Sequence, residues 1–143
     1  MAGVTSQNKG KRAERAVIQL LQPVVNECYS ERGLEAPILQ RNTLQSDRGG
    51  YDITGLDWIA LEVKHQEQLA VEKWWEQTIK QAKHNTEPVL FYKQNSVKFR
   101  VRLWGRIYVH GSHNHQWHVV EMSPESFLAY FRERIIVELE LRG

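Results

Sequence analysis

The stretch GGYDITGLDWIALEVK, residues 49–64, constrains the fold of this chain more than any other part of the sequence. Residues 51–54 and 58–64 each have the composition of a short strand, rich in β-branched and aromatic residues. The Gly-Leu-Asp between them has the composition of a turn. The stretch therefore predicts a β-hairpin in which alternate side chains share a face.

Three charged side chains converge on one face of this predicted hairpin. Glu62 and Lys64 lie two residues apart and point the same way, whereas Leu61 and Val63 point into the core. Folding the hairpin brings Asp52 nearly opposite Glu62. Two carboxylates held about 4 Å apart repel by several kcal/mol at an effective dielectric constant of about 20. A folded protein rarely arranges this repulsion without a cation.

The chemistry of these side chains suits a metal-dependent hydrolase. Carboxylate oxygens are ligands for the hard ion Mg²⁺, which keeps several of its waters. Lys64 could orient an attacking water or stabilise the charge that develops on a phosphate. A bare Glu-X-Lys is usually a routine surface pair on an amphipathic strand. The Asp ten residues earlier, the preceding Gly-Gly and the hairpin instead favour a site that hydrolyses a phosphodiester.

Helical and strand patterns alternate along the rest of the chain, and its 143 residues predict a single domain, residues 1–143. The order predicts an α/β or α+β domain with a central sheet. Helices are expected from Asn8 to about Gln22 or slightly beyond, from Val71 to His84, and from Ser123 to about Leu141. Pro23 is expected to kink the first helix or to end its first part. The last helix carries an apolar stripe that we expect in the core or at a dimer contact: Phe127, Phe131, Ile135 and Leu139. Strands are expected at residues 38–43, 88–92, 97–103, 107–109 and 117–120.

Two features of the composition bear on the cellular setting. The single cysteine, Cys28, excludes a disulfide framework and a cysteine-based zinc site within one chain. The opening residues are polar and basic, and no apolar run approaches the length of a membrane span. We therefore expect a cytoplasmic protein of a bacterial, archaeal or phage-infected cell, with no membrane partner.

The basic residues are clustered although the net charge is only +2. No acid lies between Glu87 and Glu121, and none precedes Glu14. These stretches could be ordinary solvated surfaces or a phosphate-binding face, and the charge pattern leaves both open. The histidines at 110, 113, 115 and 118 lack the spacing of a standard structural zinc site and favour a polar hairpin tip.

The combination of Asp52 with Glu62-Val63-Lys64 resembles the PD-(D/E)XK nuclease superfamily. More narrowly, it is similar to archaeal-type Holliday-junction resolvases and related phage endonucleases. The opening KGKRAER of residues 9–15, the segment 41–52, and the helix near His84 followed by residues 88–93 extend the resemblance over roughly residues 8–104. Tyr51 stands where the family has a proline that is not a ligand.

The resemblance implies a restriction-endonuclease-like fold, with a central mixed β-sheet flanked by helices. It also implies a homodimer whose two active sites face one DNA molecule, and incision that depends on Mg²⁺, with Mn²⁺ as a substitute. By position, Glu14, Asp52 and Glu62 would be the acidic metal ligands, and the carbonyl of Val63 a further one. Lys64 would be the catalytic lysine.

The expected substrate is branched or duplex DNA. The first hypothesis is a structure-selective endonuclease that resolves four-way junctions by paired incisions. The alternatives are another PD-(D/E)XK nuclease in repair, restriction or end processing, or a DNA-binding protein on the same fold that does not cut. The candidate DNA contacts are Lys9, Lys11, Arg12, Arg41, Gln45, Ser46, Arg48, Gln77, Lys80, Lys98, Arg100 and Arg102.

Overall fold

The computed structural model describes residues 6–43, 51–83, 86–113 and 115–142. Within these ranges, three helices and six strands follow one another. They are α1 (Ser6–Ser30), β1 (Gln40–Arg41), β2 (Ile53–Thr54), β3 (Ile59–Gln66), α2 (Val71–Gln81), β4 (Glu87–Gln94), β5 (Arg100–Tyr108), β6 (His115–Met122) and α3 (Pro124–Arg142). Within these residues, no helix combines the length and the apolar character needed to cross a membrane.

The six strands form one sheet in chain order, from β1 at one edge to β6 at the other. Strands β3 and β4 are parallel, whereas the other neighbouring strands are antiparallel. A parallel pair needs a crossover connection, which α2 provides. The predicted fold class is confirmed: this is a mixed α+β structure with a mixed sheet flanked by helices, consistent with a restriction-endonuclease-like fold.

Helices cover both faces of the sheet. On one face, α1 and α3 pack on Leu61, Phe91 and Val101 of the central strands. The expected apolar stripe of α3 is buried there along its whole length: Phe127, Phe131, Ile135 and Leu139. On the other face, α2 packs against Leu90 and Tyr92 of β4. The central strands are therefore shielded from solvent on both sides.

The expectation that Pro23 kinks or ends the first helix at about Gln22 is wrong in its boundary, because α1 continues to Ser30. A proline inside a helix removes one backbone hydrogen bond and crowds the preceding turn. Beyond it, Val25 and Cys28 are almost completely buried in the core. Burial of these side chains outweighs the local cost of the proline.

The adjacent tryptophans of α2 both contribute to the packing of this helix on the sheet. Both are buried under the sheet, at 7% exposure for Trp74 and 4% for Trp75. Trp74 packs on Tyr92 with ring centres 6.3 Å apart, and Trp75 packs on Trp104 at 5.5 Å. Two large rings on neighbouring helical positions can both reach a flat sheet surface.

The second half of the sheet is simpler than the sequence predicted. The segments expected as separate strands at 97–103 and 107–109 form one strand, β5, which pairs with β6 from Val101 to Tyr108. Lys98 therefore lies before the strand. Helix α2 ends at Gln81, three residues earlier than expected.

Candidate active site

The predicted hairpin between β2 and β3 is present. Ile53 lies opposite Leu61 in the antiparallel register, so that Asp52 lies opposite Glu62 as expected. The turn contains Gly55 at a φ of +129°. A Cβ atom added at Gly55 would lie 2.9 Å from the Leu39 side chain, so both the backbone angle and the packing require glycine there.

Both carboxylates of the hairpin are buried. The exposed fraction is 6% for Asp52 and 2% for Glu62. The backbone N–H of Val63 donates to Asp52 Oδ2 at 2.8 Å, and the N–H of Asp52 donates to the carbonyl of Leu61 at 2.8 Å. These two bonds fix Asp52 to strand β3. Glu62 is therefore buried, whereas the glutamate of an isolated Glu-X-Lys usually lies on the solvated surface of a strand.

Burial has a large electrostatic effect on Glu62. Burial, the negative charge of Asp52 and a hydrogen bond with Asp52 together raise the pKa of Glu62 to about 9, and burial has the largest effect. The nearby ammonium of Lys64 acts in the opposite direction. The net result is a carboxyl group that stays protonated at neutral pH unless another cation compensates the charge.

These residues fit a small, hard divalent cation. Mg²⁺ is commonly held by one or two carboxylates while it keeps several waters. The Asp52–Glu62 pair offers oxygen ligands whose charge is otherwise offset mainly by Lys64. Among the described residues, no group of three or more His, Cys, Asp or Glu side chains is arranged to hold a metal. The structure thus brings together a pair of carboxylates and not the expected set of three.

Glu14, the third expected acid, is engaged by a basic side chain. Arg41 Nε donates to Glu14 Oε1 at 3.0 Å in a partly buried ion pair. Burial raises the pKa of Glu14, Arg41 opposes this by hydrogen bonding, and the charge of Asp52 adds to the increase. Glu14 therefore lies within electrostatic range of Asp52, but its carboxylate and Arg41 neutralise each other. This pairing argues against Arg41 as a free phosphate contact.

Comparison with known proteins bears on this geometry. Residues 5–126 match a family described as "Phage putative PDDEXK endonuclease". The chain belongs to this family. The matched region contains Asp52, Glu62 and Lys64 and ends as α3 begins. Membership confirms the predicted PD-(D/E)XK superfamily and indicates a nuclease. No curated protein and no solved structure matched the chain.

The expected DNA contacts lie in different environments. Lys9 and Lys11 are half-buried and Arg12 is exposed near the start of α1, and Lys9 Nζ donates to Asn95 Oδ1 at 3.2 Å. The remaining exposed candidates are Gln77 and Lys80 on α2, Lys98, and Arg100 on β5. Gln45, Ser46 and Arg48 lie outside the described residues.

Arg102 does not match its expected role in a basic DNA-binding strand face. Its guanidinium donates to Glu121 at 2.8 Å and to Glu72 at 2.8 Å, and only 13% of its side chain is exposed. Glu121 is the cross-strand neighbour of Arg102. The guanidinium therefore joins β5 to β6 and to α2. Arg100 is 55% exposed and lies 3.8 Å from Glu121, so it stays accessible.

Sequence reasoning singled out Lys9 and Arg12 but missed His65 and Lys93, which lie near them at strand β3. We name this group the basic cluster: Lys9, Arg12, His65 and Lys93. His65 follows Lys64 directly and pairs with Lys93 in the parallel register. Burial and the charges of the three other members lower the pKa of His65. Its Nε2 atom is buried without a hydrogen-bond partner among the described residues. The parallel pairing of β3 with β4 would have predicted this neighbourhood.

Proposed function

We propose that this protein is a divalent-metal-dependent DNA endonuclease, in which Asp52 and Glu62 bind the metal and Lys64 is the catalytic lysine. The observation that supports this most is the pair of buried carboxyl groups that lie opposite each other, Asp52 directly before β2 and Glu62 on β3. Ionising both groups would bury two like charges, and a bound cation would offset them. A protein that only binds DNA has no use for such a pair, whereas a nuclease does.

The side chains have distinct parts in the proposed hydrolysis. A bound Mg²⁺, or Mn²⁺ in its place, would lower the pKa of water and offset charge on the reacting phosphate. The Val63 amide holds Asp52 in one orientation, and the Val63 carbonyl and Glu14 are further candidate ligands. Lys64 stabilises the negative charge on the phosphate oxygens. A water oxygen loses a proton to solvent and bonds to phosphorus, the bond to one sugar oxygen breaks, and that oxygen takes a proton from solvent.

The basic cluster gives this site a surface for the DNA backbone. Its lysine and arginine side chains lie next to the strand that carries Glu62 and Lys64. Contacts of this kind release counterions from DNA and position a phosphate without reading the sequence. We therefore add Lys93 and His65 to the candidate contacts Lys9 and Arg12.

The proposed substrate is a four-way DNA junction, cut by a homodimer in two opposed strands. This part of the proposal rests on the sequence resemblance to Holliday-junction resolvases. A dimer has two active sites, which suits paired incisions at a symmetric junction. Equal cleavage of junction, duplex and single-stranded DNA would support nuclease activity but would refute the preference for four-way junctions.

The test compares two aspartates of the same hairpin. Purified wild-type protein, D52N and D57N are incubated with a labelled four-way junction, a matched linear duplex and a single strand, with and without Mg²⁺. Asp57 is exposed and pairs with Arg142, so D57N is the matched control. We expect symmetric junction cuts by wild type and D57N, and binding without cutting by D52N. Cleavage by D52N would refute the metal site.

Tight junction binding by wild type without cleavage in Mg²⁺ or Mn²⁺ would instead support a binding protein that does not cut. In that case the buried carboxylates would need a different explanation. Measuring binding by anisotropy in EDTA and cleavage on gels keeps these outcomes separate.

A further inference from the structure

The β5–β6 hairpin extends beyond the rest of the sheet. Strand β4 pairs with β5 over residues 100–103, whereas β6 pairs with β5 as far as Tyr108. Residues 104–108 and 115–119 therefore form a two-stranded segment, which we name the ribbon. At about 3.4 Å per residue, its five paired positions extend about 17 Å past the last pair with β4.

The ribbon carries large apolar side chains that are open to solvent. Tyr108 is 72% exposed and Trp117 is 60% exposed, and Ile107 and Val119 are exposed as well. The guanidinium of Arg106 lies 5.0 Å from the centre of the Trp117 ring. An arginine stacked on an exposed indole is a cation–π pair that offers a flat surface with positive charge.

Trp117 also lines a cavity where the ribbon leaves the sheet. The cavity has a volume of about 380 Å³, and its walls include Pro88, Trp104, Trp117 and Tyr130. Glu87 also lines it, and its carboxylate accepts hydrogen bonds from Tyr130 and Arg134. This volume lies within the range of pockets that hold small organic groups, about 300–1,000 Å³. Its lining is mainly apolar and aromatic, which suits a flat ring.

The charge of the ribbon favours a nucleic acid over a second copy of this chain. The segment between Glu87 and Glu121 contains basic residues and histidines but no acid. Two ribbons packed together would bring their Arg106 side chains close without an acidic partner from either ribbon. DNA supplies the complementary negative charge and, in its bases, flat rings that stack on tryptophan.

We propose that the ribbon is a DNA contact in which Trp117, backed by Arg106, stacks with an unpaired base at the mouth of the cavity. Bases inside a duplex already have both faces stacked, so a free base face occurs at bulges, forks, ends and single strands. The inference rests on the proposed function in taking DNA as the ligand. It assigns to the endonuclease a preference for DNA that contains unstacked bases.

The test measures binding in EDTA, where cleavage does not interfere. One labelled duplex carries a short bulge with 2-aminopurine, and a second is fully paired. W117A should weaken binding to the bulged duplex by about ten-fold, the typical loss of one stacked base, and to the paired duplex by less than about two-fold. Wild type should quench 2-aminopurine and W117A should not. W117F keeps an aromatic face and should bind nearly as wild type does.

The control is L141A, which removes an equally exposed apolar side chain far from the ribbon along the chain. It should leave both affinities unchanged. Equal loss on both duplexes with W117A, or no loss on either, would overturn the inference. If sedimentation shows a dimer for wild type and a monomer for W117A, the ribbon contacts a second copy of this chain, and this would also overturn the inference. If the proposed endonuclease activity is wrong, the wild-type protein will bind DNA in EDTA but will not cleave it with Mg²⁺. This outcome is distinct from the effects of W117A on binding.

Discussion

Replacement of Glu62 by glutamine should stabilise the metal-free protein, because the native carboxyl group is held in an unfavourable place. Burial and the neighbouring Asp52 raise the pKa of Glu62 from 4.5 to about 9. Folding above pH 4.5 therefore requires Glu62 to take up a proton. Glutamine has nearly the same shape, does not titrate, and can donate its amide hydrogen to Asp52.

The magnitude follows from linkage between proton binding and folding. Because the folded state binds the extra proton, the free energy of unfolding falls as pH rises through the window from 4.5 to about 9. One pKa unit corresponds to about 1.4 kcal/mol, so the loss reaches up to about 3 kcal/mol at pH 7. The gain from E62Q should be close to zero at pH 4.5 and grow with pH. Above pH 9 it should stay constant.

The assay is urea unfolding of wild type and E62Q in EDTA at pH 5, 7 and 8.5, followed by circular dichroism. Glu133 lies exposed on α3, so E133Q is a matched control for the loss of one charge. E133Q should change stability by less than about 0.5 kcal/mol at each pH. A difference between wild type and E62Q that does not depend on pH would refute the reasoning, and so would a loss of stability in E62Q at pH 8.5.

Three further predictions concern the metal, the ion-pair network and the DNA surface. Mg²⁺ at ten times its Kd should raise the free energy of unfolding of wild type by about 1.4 kcal/mol, seen as a higher Tm. If Mg²⁺ raises the free energy of unfolding of E62Q by the same amount, Glu62 is not a metal ligand. R102A should lower stability by about 1–3 kcal/mol in urea unfolding, because it leaves Glu121 partly buried without its main cation, whereas R100A should cost less than about 0.5 kcal/mol. Similar losses in both variants would contradict the network. K93A should reduce the slope of log K for DNA binding against log salt concentration by about 0.9, and an unchanged slope would exclude Lys93 from the DNA surface.

The β2–β3 hairpin could be predicted because its geometry is local. Strand alternation places Glu62 and Lys64 on one side, and a short turn places Asp52 opposite Glu62. Both relations depend only on residues within about a dozen positions of each other. The apolar stripe of α3 was predicted for the same reason, since helical periodicity alone brings Phe127, Phe131 and Ile135 to one face.

The partners of the charged side chains could not be predicted in this way. Arg102 looked like part of a basic face because its acidic partners are far away in sequence. Glu121 reaches it across β5 and β6, and Glu72 reaches it from α2. Arg41 and Glu14 are likewise 27 residues apart. An ion pair depends on the side chains that lie within a few ångströms, and these come from the packing of separate elements.

For the protein as a whole, local features could be predicted from the sequence, whereas contacts between distant residues could not. Local patterns in the chain were sufficient for the order of most helices and strands and for the hairpin with its two carboxylates, because backbone periodicity and turn chemistry act over short separations. The superfamily was predicted from the resemblance of Asp52 and Glu62-Val63-Lys64 to its motif. The burial of Glu62, the basic cluster around His65 and the ribbon that presents Trp117 depend on strand order and on the helices that cover the sheet. Solvent exclusion and electrostatic neighbourhood are properties of the assembled sheet and helices, and they set the chemistry of each side chain.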